Sequence, residues 1–295
     1  MAVYKKTYKG YEGGLTPAWS RFLVLTRYSL EELRARRFLA IFYVISFFWP
    51  LASALIMYLH HNLSALELLG IKPSQVLAID TRFFMGFLGF QSMLAFFLAA
   101  FIGPGLISPD LSNRALPLYL ARPFSRAEYV AGKMTVLALL MSLMTWVPGL
   151  LLVALQSYLE GFGWARENWR IAWALFAGSW VWILVLAFLS LALSAWVKWK
   201  PFAAALMFGV FFVAAGFGAA INGTMRTRWG NLLNVGHLVG SVWGSLFGGE
   251  GGAVFFGVER GEELPIWMCW AVLAAMCAVC VRLLDVKIRG VEVVR

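Results

Sequence analysis

The stretch FFMGFLGFQSMLAFFLAAFIGPGL, residues 83–106, decides the fold, because its 24 consecutive residues carry no charged side chain. Lipid hydrocarbon is about 30 Å thick, and a helix needs about 20 apolar residues to cross it. A single helix also satisfies its own backbone hydrogen bonds in lipid, which a lone strand cannot do. Similar runs predict five more transmembrane helices, at 38–59, 134–155, 171–196, 202–222 and 264–281.

The composition agrees with an all-α integral membrane protein of six spans. Of the 295 residues, 61% are hydrophobic and 14% are charged, whereas soluble domains average roughly 45–50% and about 25%. The first apolar run follows 37 residues that are rich in lysine, arginine and aromatics. We therefore expect no cleavable signal and a first span that is retained as an anchor.

The distribution of basic residues predicts the orientation. If the six spans alternate sides, 18 of the 25 lysines and arginines fall on the side of both termini. We therefore expect a multi-pass protein of the inner (cytoplasmic) membrane with both termini in the cytoplasm. The net charge of +10 then favours anionic lipid and not nucleic acid, because the basic residues are dispersed over four cytoplasmic segments. The predicted organisation is a cytoplasmic tail and interfacial helix at 1–37, a six-span domain at 38–283 with a cytoplasmic loop at 107–133 and an external segment at 223–263, and a cytoplasmic tail at 284–295.

An amphipathic helix is predicted before the first span. Thr16 and Pro17 are typical of a helix N-terminus, and apolar residues recur afterwards at spacings of three and four. Such a helix would lie in the membrane interface. Ser29 and Glu32 have the spacing of a capping box, which indicates a break and restart there. The alternative is a plain cytoplasmic extension of the first span. The apolar face comprises Trp19, Phe22, Leu23, Thr26, Leu30 and Leu33.

Glycines recur at every fourth position in the long external segment, at 236, 240, 244, 248 and 252. On a helix they would form one stripe, which allows a neighbouring helix to approach closely. A re-entrant or outer-leaflet helical hairpin is therefore predicted. The alternative is a flexible glycine-rich linker.

Several kinds of chemistry are absent from the sequence. His60 and His61 have no third metal ligand nearby, and Cys277 and Cys280 are interpreted as small core residues more readily than as a metal site. There is no P-loop motif. None of the six runs contains Asp, Glu, Lys, Arg or His, which argues against an ion-coupled carrier and against a membrane enzyme. We expect no catalytic, cofactor or metal site in this chain.

The polar passage between spans two and three is the place where energy would enter. Ser108 and Pro109 predict the start of a short helix, with Asp110 in its first turn and an end near Leu116, because Pro117 cannot continue it. Ser125 and Glu128 then form a second capping box, which starts the third span. A short helix held between two spans would act as a rigid lever.

The order of these features resembles the permease subunits of ABC type-2 transporters. The resemblance covers nearly the whole chain and departs from the family at Pro117, which leaves the length of the short helix open. It is carried by the interfacial helix, the six spans, the long external segment and the residues Asp110, Ala115 to Leu120, Pro123, Ser125, Arg126, Glu128, Gly132 and Lys133.

The resemblance implies a dimer, of identical or related chains, that carries two separate cytoplasmic ATPase subunits. The partner ATPases would bind ATP and Mg²⁺, and the short helix would be a coupling helix that docks in an ATPase groove. The coupling residues would be Asp110, Arg114, Leu116, Tyr119, Arg122, Pro123, Ser125, Arg126 and Glu128.

The same resemblance implies that spans two and five line a pathway for an amphiphilic, lipid-like, drug-like, peptide or glycan cargo. The alternative for the phenylalanines is contact with lipid or with neighbouring helices. A second function is a mechanotransmitting subunit that moves no solute, although the modest external loops favour transport. The pathway candidates are Phe84, Phe87, Gln91, Phe208, Phe211 and Phe212.

Overall fold

The computed structural model describes residues 17, 20–62, 78–113, 115, 119, 125–249 and 264–288. Within these ranges the ordered elements are all helical, and no strand occurs. Twelve α-helices are numbered here in chain order. They are α1 (Arg21–Arg34), α2 (Arg37–His61), α3 (Thr81–Ile102), α4 (Pro104–Ser112), α5 (Arg126–Met144), α6 (Trp146–Glu160), α7 (Phe162–Glu167), α8 (Trp169–Trp196), α9 (Lys200–Phe208), α10 (Ala214–Met225), α11 (Val235–Leu246) and α12 (Ile266–Lys287). A π-helical turn (Gly209–Val213) joins α9 to α10, and a 3₁₀ turn (Trp229–Leu233) precedes α11.

Among the described residues, six helical stretches are long and apolar enough to cross a membrane, which confirms the predicted number of spans. Span one is α2, span four is α8 and span six is α12. Span two combines α3 with α4, span three combines α5 with α6, and span five combines α9 with α10. The protein is therefore a helical, multi-pass membrane protein.

Prolines interrupt spans two and three. Pro104 begins α4 and Pro148 lies in the first turn of α6. Proline has no amide hydrogen, and its ring crowds the carbonyl four residues earlier. The α-helices accordingly stop at Ile102 and Met144 and restart after the single residues Gly103 and Thr145.

Serines of span four stabilise the interruption in span two. Ser190 Oγ donates to the Ala99 carbonyl oxygen at 3.1 Å, and Ser194 Oγ donates to the Pro104 carbonyl oxygen at 3.0 Å. Ser194 Oγ also accepts hydrogen bonds from the amides of Ile107 and Ser108, at 3.1 and 3.0 Å. Because lipid offers no hydrogen-bond partner for free backbone groups, these contacts allow the helix to continue past Gly103.

Spans two, three and four form the centre of the chain. More than half of the apolar stretch of each is buried inside the molecule, against 22% for span one and 17% for spans five and six. The three peripheral spans therefore present most of their apolar surface outward. Such surface is available to lipid or to another membrane subunit.

The N-terminal helix α1 differs from the prediction in two ways. It runs unbroken from Arg21 to Arg34, so the expected break at Ser29 and Glu32 is wrong, and the chain turns instead at Ala35 and Arg36. The buried face contains Leu25, Thr26, Ser29 and Leu33, whereas Leu23 is 42% exposed. Ser29 is buried on the face that meets α5, so it cannot serve as a helix cap in solvent. The predicted cap Thr16 and the aromatic Trp19 lie outside the described residues.

The external segment folds back onto the bundle. Gly218 of α10 and Gly230 of the 3₁₀ turn pack backbone against backbone, and the Gly230 amide donates to Asn222 Oδ1 at 2.7 Å. Helix α11 follows and packs beside α8 and α12.

Two contacts attach α11 to span four. Trp243 Nε1 donates to the Gly178 carbonyl oxygen at 2.9 Å, and Arg170 donates to the carbonyls of Ser245 and Leu246, each at 3.1 Å. The glycines at 236, 240 and 244 lie in α11, Gly248 lies in the turn after it with φ of 105°, and position 252 lies outside the described residues.

Candidate functional site

The segment between α4 and α5, which the distribution of basic residues predicts to be cytoplasmic, contains the residues that the sequence analysis singles out for coupling. Asp110 lies in the last turn of α4, and Arg126 and Glu128 lie in the first turn of α5 with Ser125 as the cap. Tyr119 is helical, and its amide donates to the Ala115 carbonyl oxygen at 3.3 Å. The positions of Arg114, Leu116, Arg122 and Pro123 lie outside the described residues.

The prediction that a separate helix starts at Ser108 is wrong. Ser108 is buried in the middle of α4, which begins at Pro104 and ends at Ser112 and not near Leu116. Its hydroxyl donates to the Lys198 carbonyl oxygen at 2.9 Å and caps nothing in its own helix. Asp110 is consequently at the C-terminal end of a helix and not in a first turn. The reason is tertiary, since Ser194 of span four accepts from the amides of Ile107 and Ser108 and so supports a helix that starts earlier, at Pro104.

The predicted capping box at the start of span three is confirmed. Ser125 Oγ accepts from the Glu128 amide at 3.2 Å, and Glu128 Oε2 accepts from the Ser125 amide at 2.6 Å. This reciprocal pair satisfies two amides that the helix itself leaves without a partner. It fixes the residue at which α5 begins after the segment between α4 and α5.

A buried ionic cluster joins the two ends of that segment. Lys133 Nζ lies 3.0 Å from Asp110 Oδ2, and the Tyr129 hydroxyl donates to the same oxygen at 2.8 Å. Lys133 also donates to Ser29 Oγ at 3.5 Å, which brings α1 into the contact. We call Ser29, Asp110, Tyr129 and Lys133 the Asp110 cluster; it ties together α1, α4 and α5.

The cluster is shielded from solvent. The side chains of Lys133 and Asp110 are 8% and 17% exposed, and Tyr129 is fully buried. The Tyr119 ring lies 5.8 Å from the Tyr129 ring. Burial, and next the charge of Asp110, raise the pKa of Tyr119. The Tyr119 phenol therefore stays neutral, and its ring packs beside the Tyr129 ring that donates to the carboxylate.

Close backbone packing holds α1 against α5 beside this cluster. A Cβ atom on Gly132 would lie 2.9 Å from the Phe22 carbonyl oxygen and 3.2 Å from Leu25 Cβ. Only glycine therefore permits this approach without a shift of the backbone. Thr26 Oγ1 donates to the Gly132 carbonyl oxygen at 3.0 Å across the same contact.

The start of α5 is accessible on its other side. Ser125 and Arg126 are exposed, and Glu128 is partly exposed. The site thus has two layers. The inner layer is the Asp110 cluster, and the outer layer consists of Ser125, Arg126 and Glu128 at the start of α5.

Most of the pathway candidates in span two lie inside the bundle. Phe84 and Gln91 are fully buried, and Phe87 is 1% exposed. Gln91 Nε2 donates to the Ser46 carbonyl oxygen of span one at 3.1 Å. Pro50 lies four residues after Ser46 and has no amide to donate, so Gln91 replaces the hydrogen bond that the proline removes.

The candidates in span five belong to an aromatic cluster around Phe96 of span two. The ring centroids of Phe208, Phe211 and Phe212 lie 5.1, 4.9 and 6.1 Å from that of Phe96. Phe211 is 4% exposed and Phe212 is 44% exposed. These contacts surround the π-helical turn, so of the six candidates Phe212 offers the most surface to a second subunit or a cargo.

Sequence reasoning missed the ion pair of Lys133 with Asp110 and the hydrogen bond of Lys133 with Ser29. Lys133 directly precedes the apolar run of span three and lies four residues after Tyr129, so both share one helix face. That spacing is a usable signal for a polar face, although it does not name Asp110 as the partner.

The other sequence candidates lie away from this site. His61 Nε2 lies 3.9 Å from Glu160 Oε2 at the opposite end of the bundle. Cys280 of span six is buried, with a free thiol. Within the described ranges, no three side chains of His, Cys, Asp or Glu come together as metal ligands.

These features define a class of protein: a six-span helical membrane subunit in which α1, α4 and α5 meet at a buried polar junction, the Asp110 cluster. The family model described as ABC-2 family transporter protein matches residues 30–228, which include α2 to α10 and Asp110, Tyr129 and Lys133 of the cluster, whereas Ser29 lies just before the matched range. The chain belongs to this family and is a transmembrane subunit of the permease type. A search of curated proteins gives no match.

Proposed function

We propose that the chain is the permease subunit of an ABC exporter that is driven by separate cytoplasmic ATPase subunits. The observation that carries the proposal is the way in which the helices that flank the segment 113–125 are held together. The helices on either side of it are joined by buried polar contacts, while Ser125 and Arg126 at its end are exposed. A segment of this kind offers polar side chains to a partner and transmits displacement to two spans at once.

The energy for transport comes from the partner in this proposal. The chain has no P-loop motif, so ATP and Mg²⁺ are bound by the ATPase subunits and the chain itself is not an enzyme. Arg126 and Glu128 contact the ATPase together with Ser125, Tyr119 and the coupling candidates Arg114, Leu116, Arg122 and Pro123, while Asp110 supports the segment from inside. The membrane is the inner membrane, with both termini cytoplasmic, as the distribution of basic residues favours.

The translocation pathway forms between two such permease subunits. The large outward surface of span five supports a place for it at this boundary, since only 17% of its apolar stretch is buried within the chain. Phe212 and the edge of Phe208 would then face the pathway, and an aromatic lining suits an amphiphilic, lipid-like, drug-like or glycan cargo. Phe84, Phe87, Phe211 and Gln91 support the lining from inside.

The proposal is tested by replacing Arg126 with Glu in the chain co-expressed with an ABC ATPase. We expect loss of ATPase co-purification, or loss of coupled hydrolysis, because the charge of an exposed docking residue is reversed. Membrane insertion should be unchanged. The matched control is Arg282→Glu, which reverses an exposed charge at the end of α12 and should retain the partner.

A transport measurement separates export from force transmission. Inside-out vesicles that contain the complex should accumulate a labelled amphiphile when ATP is supplied. If the ATPase binds normally and no labelled compound moves, while an envelope protein co-purifies, the chain is a mechanotransmitting subunit instead. Normal coupling in Arg126→Glu would contradict both versions.

A further inference from the structure

We propose that the Asp110 cluster is a mechanical latch, whose members are positioning residues that make α1, α4 and α5 move as one body when the ATPase displaces the segment 113–125. The inference rests on the proposed function and deepens it. It assigns to Ser29, Tyr129 and Lys133 a role that the family resemblance does not give them. It also moves Asp110 from the docking surface to the interior of the junction.

The geometry places the latch where force would enter. Asp110 lies in the last turn of α4, before the segment 113–125, and Tyr129 and Lys133 lie near the start of α5, after it. Both Tyr129 and Lys133 contact Asp110 Oδ2. The two ends of the segment therefore cannot separate without breaking a buried ion pair. A push on any part of the segment reaches spans two and three together.

The interfacial helix is attached to the same point. Lys133 donates to Ser29, and one turn away Thr26 donates to the Gly132 carbonyl. Gly132 allows the backbones of α1 and α5 to touch there. Displacement of span three consequently displaces α1, which lies directly before span one.

An ion pair suits this task better than an apolar contact. Apolar side chains in lipid exchange one apolar neighbour for another at little cost, so such a contact can slide. A buried charge that loses its partner is strongly destabilising, and the pair is therefore either formed or broken. The exposed pairs of Arg27 with Glu31 in α1 and of Glu32 with Arg36 in the turn after α1 lack this property, because solvent screens them.

Burial separates latch residues from docking residues. The side chains of Lys133 and Asp110 are 8% and 17% exposed and face each other. Arg126 is exposed and has no ion pair within the described part of the chain. The two layers should therefore fail in different ways when they are mutated.

The test uses the full-length chain with its ATPase subunits in lipid nanodiscs and compares two readouts. The first is the Kd of the ATPase for the permease. The second is the change in amide hydrogen exchange of residues 21–34 when a non-hydrolysable ATP analogue binds. For Lys133→Gln we expect an unchanged Kd and a nucleotide-linked exchange change that is smaller by roughly 2- to 30-fold, the range found for residues that carry coupling between sites.

Three further variants make the result specific. Arg126→Glu should raise the Kd because it weakens ATPase binding, whereas Lys133→Gln should leave the Kd unchanged. Lys133→Arg keeps the charge and should retain most of the nucleotide response, whereas a purely structural fault would also raise the Kd. Tyr129→Phe removes a single hydroxyl and keeps the ring, so it should fold even if Lys133→Gln does not, and its nucleotide response should also fall.

The outcomes distinguish the two proposals. If the wild-type chain binds no ABC ATPase, the proposed function fails and the latch fails with it. If the wild type binds the ATPase and responds to nucleotide, and Tyr129→Phe responds to the same extent, the latch alone is overturned. A reduced response with an unchanged Kd in Tyr129→Phe supports it.

Discussion

The junction of α1, α4 and α5 is held together by a different kind of contact from span five. At the junction, α1, α4 and α5 are joined by a buried ion pair, a tyrosine hydroxyl and a hydroxyl-to-backbone bond. The middle of span five meets span two through phenylalanine rings around Phe96, and most of the apolar stretch of span five faces outward. Directional polar contacts fix one relative position of three helices, whereas rings in an apolar medium permit several.

The difference indicates how one chain can be stiff in one place and adjustable in another. The π-helical turn at Gly209–Val213 lies within the adjustable region, and such turns are frequent at functional sites. Span five can therefore change its packing when the junction is displaced. The predictions below test the contrast, beginning with the change that should cost the most.

Removal of the charge at Lys133 should be the most destabilising change. Lys133→Met leaves Asp110 buried without its cation, and the free energy of unfolding should fall by about 3–5 kcal/mol. The double variant Asp110→Asn with Lys133→Met leaves no unpaired charge and should lose much less. Unfolding in mixed detergent micelles measures both. Equal losses in the single and double variants would show that the junction does not depend on the ion pair.

A methyl group at Gly132 should come next. Gly132→Ala places a Cβ 2.9 Å from the Phe22 carbonyl oxygen, so α1 must move, at a cost of roughly 1–3 kcal/mol. The matched control is Gly89→Ala in span two, where an added Cβ meets no atom within 4 Å. We expect faster proteolysis of α1 in Gly132→Ala and an unchanged rate in the control. Similar rates for both variants would refute the close contact.

Span five should be less sensitive to the loss of a single ring. Phe96→Leu removes edge-to-face contacts with Phe208, Phe211 and Phe212 but stays apolar. The expected loss is roughly 0.5–1.5 kcal/mol, the contribution of aromatic geometry beyond area. Phe48→Leu on the outward face of span one, where the ring is 73% exposed, is the control. A loss as large as that of Lys133→Met would remove the contrast between the two regions.

The parts of the fold that depend on local sequence could be predicted. Six uncharged runs specify six helices, because length and hydropathy alone decide whether a helix crosses lipid. The capping box of Ser125 and Glu128 was equally readable, since both partners lie within one turn. The prediction at Ser108 was wrong because serine before proline is typical of a helix start. In the fold, the amides of Ile107 and Ser108 donate to Ser194 of another span, and this contact cannot be predicted from the local sequence.

The inner layer of the site could not be derived from the sequence, because its partners come from separate elements. Asp110 and Lys133 are 23 positions apart, and nothing local indicates that their helix ends meet. Gln91 is a comparable case. A polar residue in an apolar span suggests a pathway, yet its amide serves the carbonyl that Pro50 frees in span one. Pro50 was a visible signal, but only the packing of the two spans identifies the donor.

The smallest effect should come from an exposed ion pair whose distance is similar to that of Lys133 and Asp110 in the latch. Arg27 and Glu31 lie one turn apart on α1 at 2.9 Å, and their side chains are 80% and 55% exposed. Glu31→Gln should cost no more than about 0.3–0.5 kcal/mol at low salt and nothing measurable at high salt, because water and ions screen the pair. Unfolding of this variant at two salt concentrations measures the difference. A loss comparable to that of Lys133→Met would show that burial does not distinguish the two pairs. That result would contradict the latch, which depends on the burial of Lys133 and Asp110.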